Sequence, residues 1–424
     1  MIDLKRLRQD PAQVRAALRR RLDPAVDGIL ERLLQLDQRR RDLLVEAERL
    51  KAGRNSASEE VARRKNARQP ADELLATLKA SGERVKAFDA ELRELDRALE
   101  ASLLDVPNLP HPDVPDGDAS RNSVVRTWGE PRSPGVRPHW EVGERLGILD
   151  LARGAKVSGS GFPVFVGAGA RLVRALANFM LDVHTLELGY REVCPPYLVS
   201  RAAMTGTGQL PKFADEVYAV PEDDLFLIPT GEVPLTNLYR DEILEPGALP
   251  IALVAWTPCF RREAGAHGKD TRGLIRVHQF DKVELVRLTA ADRSDAEHTL
   301  LLGHAEEVLR RLELPYRVVE LAAGDTGFHA ARTFDLEVWA PGVAAWLEVS
   351  SASTFTDFQA RRANLRYRPA PGAKPEFVHT LNASALAFPR VIAALLEQGQ
   401  DADGSVRLPA ALAAYVGADR LAAG

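Results

Sequence analysis

The sequence predicts an α+β protein in two parts: an N-terminal antiparallel two-helix coiled coil, then a larger domain that alternates strands with helices. Three observations carry this. Two heptad seams follow one another in the first quarter of the chain, a proline-rich stretch ends them, and a charged hairpin with apolar arms lies well inside the remainder.

At 424 residues the chain is too long for one ordinary core, so two or more domains are expected. A net charge of −4 gives no global sign of nucleic-acid binding, and any RNA contact must come from local patches. Cys194 and Cys259 are far apart in sequence. They form neither a zinc cluster nor a disulfide framework, so no zinc is expected and a reducing cytoplasmic location is. The start, MIDLKRLRQD, lacks the apolar core of a signal peptide. No run reaches the roughly 18 apolar residues of a membrane span, so no membrane association is expected.

The first seam runs Leu33, Leu36, Leu43, Ala47, Leu50, Ala57, Val61, interrupted by Arg40 and Arg54. The second runs Leu74, Leu78, Val85, Phe88, Leu92, Leu95, Leu99, with Ser81 its polar member. A short break at 66–71, containing Pro70, makes the pair an antiparallel hairpin. About 35 helical residues give a rod of roughly 50 Å, which needs a reason to project. Basic residues gather toward its far end: Lys51, Arg54, Arg63, Arg64, Lys65 and Arg68. Before Leu33, the segment 3–20 reads as one short basic amphipathic helix. Seven prolines between 105 and 138 then end the hairpin and begin an extended linker. The organisation expected is an arm over 1–105, a linker over 106–138 and a catalytic domain over 139–424.

In the last part, residues 169–190 have helical spacing ending at Gly189, and REVCPPYLV follows as a strand carrying Pro195 and Pro196, which suits an edge or an interface. LFLIPTGEVPLTNLY leads a strand to Thr230, Gly231 and Glu232 at a helix start; this turn could hold an ammonium group, or be a helix cap with a first-turn acid. A further strand sets Glu348 beside Ser350 and Ser351, which suits a magnesium ion or a capped turn. HTLNASALAFPRVIAALLEQG enters an apolar helix, with Asn382 and Ser384 at the junction and Arg390 one to two turns on.

The segment CFRREAGAHGKDTRGLIRVHQFDKVE, 259–284, is the most informative. Strand alternation would point Arg261 and Glu263 one way, and likewise Arg276, His278, Phe280, Lys282 and Glu284. Charges in arms that are otherwise apolar imply pairing or function. An arginine, a carboxylate and an aromatic ring set this way suit a bent ATP lying over an antiparallel sheet.

This hairpin resembles the second signature motif of class II aminoacyl-tRNA synthetases, and FRREAG…GKDTRGLIRVHQFDKVE resembles seryl-tRNA synthetases of bacterial type. The resemblance covers nearly the whole chain, arm included. It implies the class II antiparallel-sheet catalytic domain and an ATP-dependent transfer of L-serine to tRNA-Ser through seryl-adenylate, extending to selenocysteine tRNA. It also implies a homodimer built on the 169–199 helix and strand. By the resemblance, Arg261 bridges the α-phosphate and the serine carboxylate, and Arg390 holds the γ-phosphate; these are the catalytic arginines. Glu263 and Phe280 hold adenine, with Arg262, Val277, Val349 and Ser350 alongside. Glu348 and Ser351 bind Mg²⁺. Thr230, Gly231 and Glu232 close on the serine ammonium, while Glu284, Ser384 and Asn382 read its hydroxyl. Arg54, Arg63, Arg64 and Lys65 of the arm, with Lys269 and Arg272 of the loop, would contact tRNA. Departures are Arg262 where serine is common, Gly231 for alanine, and Gly161 where an arginine is usual. Two other readings stay open: a ligase loading an amino acid onto a carrier protein, and a non-catalytic paralogue.

Overall fold

The computed structural model describes residues 1–264 and 272–422, and the chain divides into two compact units. The smaller comprises Ile2–Arg19 and Asp23–Pro107. Its helices Val26–Asn66 and Asp72–Leu104 lie side by side. They are antiparallel, since Arg40 pairs with Asp96 at 2.5 Å and the later Lys51 with the earlier Asp89 at 2.9 Å. Leu33, Leu43, Ala47, Val61, Val85 and Leu99 are buried along the seam. Each fully buried leucine contributes about 1.5–3 kcal/mol over an exposed one. The seam tolerates Arg40 because its guanidinium reaches Asp96. Asp37 is also buried, held by Arg8 at 2.5 Å and Arg41 at 3.2 Å. The segment before the seam is two helices rather than one, Leu4–Gln9 and Pro11–Arg19. Pro11 has no N–H to continue the first helix and is well placed to start the second.

The larger unit comprises Met1, Arg20–Leu22 and Asn108–Gly424. Its centre is an eight-stranded sheet in the order Ser123–Trp128, Tyr316–Glu320, Arg332–Ala340, Ala345–Thr356, His379–Ala387, Gln279–Thr289, Ile251–Phe260, Arg191–Glu192. All neighbours are antiparallel except the last pair. The helices Ala168–Asp182, Ser294–Arg311 and Phe388–Gln398 share one apolar core with it, through side chains such as Leu176, Leu309 and Ile392.

Two expectations change here. The proline-rich stretch is not wholly linker, because Ser123–Trp128 within it is the sheet's edge strand. Pro195 and Pro196 lie between the strands Arg191–Glu192 and Leu198–Ser200 rather than within one. Two consecutive residues without N–H groups interrupt any ladder.

Candidate functional site

The strands Ile251–Phe260 and Gln279–Thr289 pair without a bulge, from Leu288 opposite Ile251 to Gln279 opposite Phe260. Arg261 and Glu263 therefore lie past the end of the first strand, and Arg276 and His278 before the start of the second. The alternation expected for them holds only from Phe280 through Lys282 to Glu284. Beyond the strand the Arg261 N–H still donates to the His278 carbonyl at 2.8 Å. The chain then turns through Glu263 at φ +52°, and the Glu263 carboxylate pairs with Arg276. Arg276, which the sequence pattern places on the returning strand, lines the same cleft.

That cleft has a volume of about 570 Å³ and gathers Thr230, Glu232, Arg261, Phe280, Asn382 and Ser384 from four separate segments. Arg261 lies over the Phe280 ring, 5.3 Å from its centroid, and donates from Nε to the Pro229 carbonyl at 3.2 Å. Arg390 is the third residue of its helix, in the first turn rather than one to two turns on. It donates to the carbonyls of Ile275 at 2.9 Å and Glu348 at 2.7 Å. Val277 and Val349 also line the cleft, whereas Arg262 is exposed and lies over Tyr218.

Glu232 is buried at its helix start and accepts from Gln359 Nε2 at 2.6 Å. Burial first, and then repulsion from Glu284, push the Glu232 carboxyl up to about 7. Glu284 does not face the cleft. It is covered by Lys282 at 2.5 Å, Asn382 Nδ2 at 2.8 Å and Ser384 Oγ at 3.4 Å. Sequence reasoning puts Lys282 on the face of Glu284 without a role, and it misses Gln359. The alternation with Glu284 was the signal for Lys282; nothing marked Gln359. Gly231 fits tightly here, because a Cβ would stand 3.1 Å from Glu284 Cβ.

The Glu348 region depends on a bulge. Leu336 pairs with Ser350 and Glu337 with Glu348, leaving Val349 as the extra residue. In a regular strand Glu348 would share a face with Ser350. The bulge puts it instead on the face of Ser351, opposite Glu337 and Asp335. Ser350 Oγ is committed to the Ser384 carbonyl at 2.5 Å. Asp335, also missed in sequence, is half-buried, and its buried Oδ1 lacks any hydrogen-bond partner. Burial and then Glu348 hold its carboxyl well above the usual carboxylate range. Two crowded carboxylates, a hydroxyl and an unpartnered buried oxygen form a donor set that fits Mg²⁺.

Among the remaining expected contacts, Lys269 lies outside the described residues. Arg272 stands over the Trp140 ring at 4.6 Å. On the arm, Arg63 and Arg64 pair with Glu60 at 2.6 and 3.0 Å, and Arg54 and Lys65 lie on the same helix.

The model of the seryl-tRNA synthetase N-terminal domain matches residues 1–110, and that of the tRNA synthetase class II core domain (G, H, P, S and T) matches 216–399. The serine--tRNA ligase of Gemmatimonas aurantiaca is 58% identical, over 98% of this chain and 99% of its own. The chain belongs to the seryl-tRNA synthetase family. The crystal structure of seryl-tRNA synthetase from Pyrococcus horikoshii complexed with ATP matches with a TM-score of 0.95 at 38% identity, each chain fully covered. A cytoplasmic serine-tRNA ligase from Naegleria fowleri in complex with AMP matches at 0.88 and 27%, over 97% of this chain and 96% of its own. Membership makes the chain a class II aminoacyl-tRNA synthetase of the serine--tRNA ligase kind, and the antiparallel sheet with its helical arm agrees with the fold expected from sequence. Among the described residues, no helix is long and apolar enough to cross a membrane.

Proposed function

We propose that this chain activates L-serine with ATP as seryl-adenylate and passes the seryl group to tRNA-Ser, with selenocysteine tRNA as a second acceptor. One observation carries the reading: Arg261, Arg390 and the buried acid Glu232 all line a single cleft. A zwitterionic amino acid and a polyphosphate need cationic groups for their carboxylate and phosphates and an acid for the ammonium.

The serine carboxylate attacks the α-phosphorus in line and pyrophosphate leaves. The terminal 3′-hydroxyl of the tRNA then attacks the activated carbonyl and releases AMP. No protein nucleophile takes part, so rate comes from positioning and charge stabilisation. Arg261 meets the α-phosphate and the carboxylate, leaving the Phe280 ring to adenine beside Glu263. Arg390, anchored by two carbonyls, meets the γ-phosphate. Glu232 takes the ammonium. Glu348, Ser351 and Asp335 would hold Mg²⁺, which when bound would neutralise phosphate charge. The arm binds tRNA through phosphate and shape contacts, with 1–105 as arm and 139–424 as catalytic domain. A homodimer in the cytoplasm completes the reading; exposed Tyr197 and Leu198 beside the proline pair suit a twofold interface.

The test is pyrophosphate exchange into ATP without tRNA, for serine beside alanine, threonine, glycine and cysteine. Serine-dependent exchange alone is expected. Exchange with another amino acid would move the assignment to a carrier-protein ligase.

A further inference from the structure

Lys282 lies in a buried cluster with the two carboxylates of the serine-like pocket. Its side chain is 6% exposed, its Nζ is 2.5 Å from Glu284 Oε2, and it donates to Thr230 Oγ1 at 2.8 Å. A buried lysine needs such partners, because an unpaired ammonium in the interior is costly. What it does to those partners goes further.

A threonine hydroxyl has two acceptor positions and one proton. At Thr230 both acceptor positions are taken, by Lys282 and by the Glu232 backbone N–H at 3.2 Å. The hydroxyl can then only donate, toward a carboxylate or hydroxyl oxygen. It cannot accept from an ammonium. Glu284 is equally committed, neutralised by Lys282 and bonded by Asn382 and Ser384. Glu232 alone lacks a cationic partner at hydrogen-bond distance; its bonded partner is the neutral amide of Gln359.

From this geometry we infer that Lys282 is the specificity-determining positioning residue of the pocket. It sorts two similar acids into different roles, Glu232 for the substrate ammonium and Glu284, through Ser384 and Asn382, for the hydroxyl. The inference rests on the serine reading above and deepens it. Removing the lysine charge leaves two buried acids competing for one ammonium. Recognition of the hydroxyl then weakens, and alanine, which differs only by that group, is rejected less strongly.

A pH signature separates this from a merely structural role. The groups facing Glu232 are Glu284 and Lys282 from one strand, Arg261 from beyond its neighbour and the uncharged Gln359 from a helix. The Glu232 carboxyl stands at about 7, so below that pH an incoming ammonium must displace a proton. Serine affinity is expected to fall about tenfold per pH unit on that side and to level off above it. Without the Lys282 charge the levelling point moves to higher pH.

The experiment measures serine and alanine exchange on Lys282→Met and Lys282→Gln across pH 6–9, beside the unaltered enzyme. Lys282→Gln removes the charge but keeps a neutral amide donor at this position. Expected are a serine KM raised tenfold or more at pH 7, an upward shift of the levelling point, a smaller preference for serine over alanine, and an ATP KM within twofold. An unshifted profile with preserved preference would overturn the inference. So would variants that fail to fold, since a positioning role requires a folded enzyme that still binds ATP. If the unaltered enzyme shows no serine-dependent exchange, the serine reading itself fails, and the control lane shows that separately.

Discussion

His139 and Glu397 form a fully buried pair, with Nδ1 and Oε1 2.7 Å apart, that ties the rim of the cleft beside Arg390 to two helices. The other ring nitrogen, Nε2, accepts from the Leu274 backbone N–H at 2.9 Å. Glu397 also accepts from the Gly342 N–H at 2.7 Å and the His139 N–H at 3.0 Å. Leu274 immediately precedes Ile275, whose carbonyl holds Arg390, and Arg276, which pairs with Glu263.

His139→Ala should therefore act on ATP rather than on serine. It leaves the Leu274 N–H and a carboxylate oxygen without their partner, at about 1–3 kcal/mol for each buried group. Thermal melting should fall by several degrees, and the ATP KM should rise well beyond the serine KM. Gly273→Ala should reproduce the kinetic effect. Gly273 has φ +65°, and a Cβ there would stand 2.4 Å from His139 Nε2. Equal changes in both KM values would break the link between this pair and the ATP rim.

Glu232 makes stability and binding run in opposite directions with pH. Its carboxyl is raised from 4.5 to about 7, so the folded state holds the proton more tightly than the unfolded chain does. Its contribution is greatest below the ordinary carboxyl range and declines as pH rises from about 4.5 through 7. Serine reverses this above 7 by supplying the counter-charge. Glu232→Gln should remove both effects. At pH 8 the ligand-free variant should melt higher than the unaltered protein and gain nothing from added serine. Melting curves with and without serine at pH 6 and 8 decide it.

Asp335 should matter to the divalent cation. With Oδ1 unpartnered and Glu348 repelling it, the carboxylate is destabilised in the ligand-free protein. Asp335→Asn should relieve that repulsion, raising the melting temperature without metal while weakening the metal site. Mn²⁺ titration followed by electron paramagnetic resonance in the presence of ATP should give weaker binding by about tenfold, near 1.4 kcal/mol. Unchanged Mn²⁺ affinity would place Asp335 outside the site.

These residues mark where sequence reasoning stopped. The arm was legible because heptads report burial directly, and even Arg40, an apparent fault in the seam, meets a carboxylate on the facing helix. The hairpin was legible from its charges, but the place where its strands end was not. Only the last paired residues, Gln279 and Phe260, show that Arg261 and Glu263 lie beyond the sheet. The bulge at Val349 has no sequence mark, yet it decides that Glu348 shares a face with Ser351 and not Ser350. Asp335 and Gln359 reach the site from a strand and a helix distant in sequence from the hairpin. Partners set by tertiary pairing leave no local spacing to read.

The arm offers a prediction that separates RNA binding from chemistry. Arg63 and Arg64 are both drawn to Glu60, whereas Arg54 and Lys65 lie on the same helix without an ion pair to that carboxylate. If the arm binds tRNA by phosphate contacts, Arg54→Glu with Lys65→Glu should leave serine-dependent exchange unchanged and weaken tRNA charging. Each lost contact should lower the dependence of log K on log salt by about one. The double variant should therefore show a slope shallower by about two, with the greatest loss of affinity at low salt. Glu60→Gln makes the complementary case. It frees two arginines without adding charge to the RNA side, so tRNA affinity should rise and the slope steepen. Should both variants charge tRNA as the unaltered protein does, at low and high salt alike, the basic end of the arm would be a solvated coiled-coil surface, and tRNA selection would have to lie elsewhere in the chain.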